Sequence, residues 1–142
     1  MLRKTAILIF LISSCKHDPV HLENYKKFEG NWTIVDLYSN SVNLKEEGYN
    51  VIGFEKRNHM WFMKSVLQKE SEFIGCTYEF YKHNDSLRIK IYKCEDDRLN
   101  ADFKLNVDTL SYKNDQYLVE LSFENKTNNM SLLRYLNNQI KK

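Results

Sequence analysis

A chain of 142 residues is one domain's worth, long enough to bury a hydrophobic core without metals. Its 21 basic residues stand against 19 acidic ones, and the lysines are scattered among acids, so the sequence supports no basic patch for nucleic acid. Nine tyrosines and eight phenylalanines beside one proline and four glycines point to a mostly β domain.

The first fifteen residues decide where the rest would live. Arg3 and Lys4 form a short positive region, Thr5 to Ile12 is an apolar run too short to span a bilayer, and Ser13 and Ser14 are small. Residues 1–14 therefore read as a signal peptide. Ile12-Ser13-Ser14-Cys15 resembles the lipobox of bacterial lipoproteins, which implies cleavage before Cys15 and acyl chains such as palmitate on that residue. Each buried CH₂ contributes about 0.8 kcal/mol, so several chains anchor a protein almost permanently. Losing Arg3 and Lys4 with the leader leaves 19 basic residues against 19 acidic ones. Lys16 stands where enteric lipoproteins kept at the inner membrane carry Asp, so the expected location is the cell envelope, at the outer membrane.

Residues 15–27 then read as a polar tether containing Pro19. Leu22, Tyr25 and Phe28 recur every three residues, so this stretch is either linker or a short helical turn lying across an apolar opening. Gly30 precedes a first strand from Trp32 to Tyr38, with Ile34 inward, and a polar loop spans Ser39 to Gly48. Strands follow from Tyr49 to Glu55 and His59 to Val66, joined by a tight turn at Lys56 to Asn58. Phe73 to Lys82 places Ile74, Cys76, Tyr78 and Phe80 on one face. After a turn at His83 to Asp85, Leu87, Ile89 and Ile91 alternate with Arg88 and Lys90 and face the same core.

Glu95 to Arg98 is a charged loop, and Ala101 to Tyr112 is one long bent strand or two short ones broken near Asn106. Tyr117, Val119, Leu121 and Phe123 mark another one-sided strand, and Met130 to Leu136 is the last. The barrel or sandwich so predicted covers residues 28–137, with 138–142 a polar tail.

Gly30-Asn31-Trp32 resembles the Gly-x-Trp of the lipocalin and calycin barrels, and Arg134 matches the arginine those barrels pack over that tryptophan. The resemblance implies an all-β, single antiparallel up-and-down barrel of about eight strands, with Trp32 and Arg134 sealing one end where first and last strands meet. It also implies an interior, lined by Ile34, Tyr78, Phe80, Leu87, Ile89, Ile91, Tyr117, Val119, Leu121 and Phe123, that binds a small apolar ligand. A solid core would instead make the chain an envelope interaction module contacting protein or glycan.

No catalytic grouping, metal site or cofactor motif stands out. His17 and His21 lie in the tether, His59 and His83 at hairpin ends, and the acidic pairs Glu46-Glu47 and Asp96-Asp97 in loops; each reads as solvated. Cys76 and Cys94 lack a CxxC context but are an even pair in an oxidising compartment. With Phe80 opposite Ile89, Cys76 opposes Lys93, so a Cys76–Cys94 bridge requires a bulge near Lys93 or loss of pairing after Tyr92. The oligomeric state is not legible.

Overall fold

The computed structural model describes residues 19–137; the predicted signal peptide, Cys15 and the polar tail at 138–142 lie outside the described residues. Helix α1 (Pro19–Phe28) is followed by β1 (Gly30–Ser39), a two-residue β2 (Val42–Asn43), β3 (Tyr49–Phe54), β4 (His59–Lys64), β5 (Glu72–His83), β6 (Ser86–Tyr92), β7 (Ala101–Lys113), β8 (Gln116–Glu124) and β9 (Asn128–Asn137). Each strand from β3 onward pairs antiparallel with the next, and β1 pairs with both β3 and β9. The result is a closed eight-stranded up-and-down barrel with β2 as a short extra strand on β1.

The two ends differ in their connections. Asn84-Asp85 and Asn114-Asp115 carry positive φ at both positions, the conformation that matches strand twist in two-residue hairpins, and Arg57-Asn58 does the same in the β3–β4 turn. These turns gather at one end, where α1 also lies. The longer connections, residues 40–48, 65–71, 93–100 and 125–127, gather at the other.

Inward positions fill the barrel as alternation predicts, except at register shifts in β1, in β3 between Tyr49 and Val51, and in β7. Trp32 and Ile34 point in, a bulge between Ile34 and Asp36 shifts the register against β9, and Leu37 and Ser39 then point in. Val35 and Asp36 are both exposed as a consequence. Residues 101–113 are one strand; its irregularity falls between Thr109 and Ser111, not near Asn106. β7 leaves β6 after Lys104 and continues with β8 alone, so Val107 and Leu110 stay exposed.

Two stretches hold more structure than a linker or loop. Of the two readings of the stretch before β1, the helical one applies: residues 19–27 form most of an α-helix whose buried face is His21, Asn24, Tyr25 and Phe28, while Leu22 is exposed. The spacing of that face is the α-helical three-four step, not a strict three. The stretch from Ser39 to Gly48 also holds β2 and a 3-10 turn, Leu44–Glu47, whose Leu44 is fully buried.

Candidate functional site

At the end with the tight turns, Trp32, Arg134 and Gly30 form one unit with α1. The Arg134 guanidinium carbon lies 4.2 Å from the Trp32 ring centroid, and its Nη1 donates to the Glu29 carbonyl at 2.7 Å. Trp32 Nε1 donates to the Phe28 carbonyl at 2.9 Å. A helix leaves its last carbonyls without partners, and here the stacked pair supplies donors for two acceptors at the end of α1. Gly30 has φ +105°, and a Cβ there would stand 2.9 Å from Arg134 Nη1. Glycine is thus required both by the backbone and by the arginine's approach.

Helix α1 is fastened at its other end by His21. This side chain, read from sequence as a solvated tether residue, is only 4% exposed. Its Nδ1 accepts from the Phe80 backbone N–H at 3.1 Å, and its ring packs against Tyr25, Tyr78 and Phe80. His59 and His83 are exposed. His17 lies outside the described residues.

The other end is closed by a charge cluster. Arg98 donates from Nη1 and Nη2 to the two carboxylate oxygens of Glu47 at 2.7 and 2.9 Å, and from Nη2 to Asp96 at 2.7 Å. Tyr49 Oη donates to Asp96 at 2.7 Å. The Arg98 guanidinium holds both carboxyls below the ordinary carboxylate range, Asp96 farther than Glu47. Glu47 and Asp96 are therefore not the solvated loop acids that the sequence implied. They tie the 3-10 turn at Leu44–Glu47 to a second one, Asp97–Leu99, so that the buried Leu44 and Leu99 cap the interior.

Cys76 and Cys94 beside this cluster are joined in a disulfide with Cα atoms 4.1 Å apart. The β5–β6 register sets Phe80 against Ile89 and ends at Thr77 against Tyr92. Lys93 then takes a left-handed φ of 52°, which breaks the ladder and turns Cys94 back toward Cys76.

The interior is filled by the barrel's own side chains. Tyr78, Phe80, Ile89, Ile91, Leu121, Phe123 and Ile34 each leave at most 1% of their surface accessible, Val119 leaves 6%, and Leu87 and Tyr117 pack half-buried at the margin. Such values leave no room for a water-sized void beside the first seven. A gap under the charge cluster, bounded by Leu37, Phe62, Ile91, Leu99, Phe103 and Met130, measures about 10 Å³. A cleft of about 200 Å³ lies outside the barrel, between the first turn of α1 and the β3–β4 turn, lined by His21, Leu22, Tyr25, Lys56, Arg57 and Asn58.

One outward feature escaped the sequence. Trp61 stands in register between Gly53 on β3 and Gly75 on β5, and its indole occupies the space a Cβ of Gly53 would need. Phe73 packs edge-on against it at 5.3 Å between ring centroids. Two glycines flanking a tryptophan across three strands were the available signal, invisible until the register is known. Among the described residues, no three His, Cys, Asp or Glu side chains converge as metal ligands would, and no helix is long and apolar enough to cross a membrane.

The fold is a closed, eight-stranded, antiparallel up-and-down barrel, an architecture consistent with a lipocalin-like fold. Comparison with protein families, curated proteins and solved structures finds no match to this sequence.

Proposed function

We propose that this protein is a lipid-anchored, non-enzymatic component of the cell envelope, placed at the outer membrane, whose barrel is a rigid scaffold that contacts a protein or glycan through its outer surface. The observation that carries this reading is the filled interior: side chains occupy the space in which a barrel of this size would hold a ligand. The contact surface it favours is the ledge of Trp61 and Phe73 with Val66 and Leu67, where Phe73 and Leu67 are 57% and 93% exposed. The β4–β5 connection carrying Val66 and Leu67 is at the end away from α1, and so away from an anchor at Cys15.

Carriage of a small apolar molecule is the second reading, supported by the apolar cleft beside α1. At about 200 Å³ that cleft is smaller than the roughly 300–1,000 Å³ typical of small-molecule sites. Native extraction followed by mass spectrometry of co-purifying molecules, with in-envelope crosslinking from Phe73, separates the two. The scaffold reading expects a crosslinked partner and no stoichiometric small molecule; an apolar molecule recovered at one per chain overturns it.

A further inference from the structure

The cleft beside α1 combines an apolar floor with two basic side chains that no described residue engages in an ion pair. Leu22 and Tyr25 line it from the helix, and Lys56 and Arg57 stand exposed at its rim with no ion-pair partner among the described residues. The adjacent acid, Glu55, accepts from Trp61 Nε1 at 2.8 Å. Arg98 at the opposite end, by contrast, is held by Glu47 and Asp96.

Chain length brings this end to the bilayer. Four residue steps separate Cys15 from Pro19, the first residue of α1, and a fully extended chain covers at most about 14 Å in four steps. That upper bound is one to two screening lengths of about 10 Å, so an anchor at Cys15 keeps the first turn of α1, and the cleft beside it, close enough to an anionic surface for contact. We infer that the cleft between α1 and the β3–β4 turn is a membrane-docking site, in which Lys56 and Arg57 take the phosphate of an anionic phospholipid headgroup and Leu22 and Tyr25 meet its glycerol. A volume of about 200 Å³, that of roughly six or seven water molecules, suits a headgroup and excludes a whole lipid. The inference rests on the reading of Cys15 as the anchor.

The test uses the full lipidated protein in vesicles of phosphatidylcholine alone or mixed with phosphatidylglycerol. Amine labelling read by mass spectrometry compares Lys56 with Lys69 and Lys126, exposed on connections at the far end. Docking lowers labelling of Lys56 severalfold in the anionic vesicles, because each basic side chain near such a surface adds about 1 kcal/mol of attraction, roughly fivefold in the binding constant. Lys69 and Lys126 stay unchanged, high salt restores Lys56, and Arg57→Gln weakens the protection. Equal labelling of Lys56 in both vesicles, or protection at Lys69 instead, overturns the inference. The acyl mass on Cys15 is measured in the same sample. Its presence with an unprotected Lys56 sinks docking alone. Its absence sinks the anchoring reading, and docking with it unless the chain still sediments with phosphatidylglycerol vesicles and Lys56→Gln/Arg57→Gln does not.

Discussion

Gly30, Trp32 and Arg134 act as a single device at the scale of the residue. The indole and guanidinium are stacked, each donates to a carbonyl at the end of α1, and Gly30 leaves the space in which the arginine lies. Trp32→Ala removes a 1% exposed side chain together with the platform for Arg134, and the expected loss is about 3–5 kcal/mol, read as a lowered denaturation midpoint. Gly30→Ala adds a Cβ at φ +105° and 2.9 Å from Arg134 Nη1, which should cost about 1–3 kcal/mol by the same measurement. An unchanged midpoint in either variant would contradict this account. The triad was legible in sequence because it is a short motif plus one residue near the far terminus. His21 was not, since a histidine in a polar stretch next to proline gives no sign that the backbone N–H of Phe80 awaits it.

Between elements, two links close the end opposite α1. The disulfide ties β5 to the 93–100 connection, and with its cysteines 18 positions apart in sequence its reduction should cost about 3 kcal/mol, seen as a fall in midpoint when thiol is added to the folded protein. Arg98 forms the second link. Asp96 and Glu47 titrate below their unfolded values, so the stability they contribute is present above the ordinary carboxylate range and is lost as pH falls through it toward the depressed folded values. The melting temperature should therefore decline below about pH 5, and Arg98→Met should flatten that decline while lowering the plateau above it. A pH profile of the same shape in the variant would show that the cluster does not govern acid stability. Sequence parity located the disulfide's irregularity at Lys93 or beyond Tyr92, because the β5–β6 alternation is regular enough to fix a register. It could not locate the Glu47–Arg98 pair, whose members are 51 residues apart on connections with no periodicity.

Over the whole molecule, alternation announces a barrel but says nothing of how full it is. Parity marks Tyr78, Phe80, Leu121 and Phe123 as inward; only their burial in a single core cluster shows how full the interior is, with about 10 Å³ left beneath the charge cluster. The bulge in β1 was hidden for the same reason, since Val35 and Leu37 are both apolar and either could face inward until the pairing with β9 is known. Among the described residues, no helix is long and apolar enough to cross a bilayer, and the proposed anchor is Cys15. Acyl chains contribute about 0.8 kcal/mol per buried CH₂, enough for several chains to hold the barrel at the surface. The mature chain recovered from membranes should accordingly exceed the mass of residues 15–142 by that of its acyl groups. Cys15→Ala should abolish the increment and leave the barrel's melting temperature unchanged, because the described core is built from Tyr25 onward. Intact-mass analysis that finds wild-type Cys15 unmodified would overturn the anchoring, whatever the barrel proves to contact.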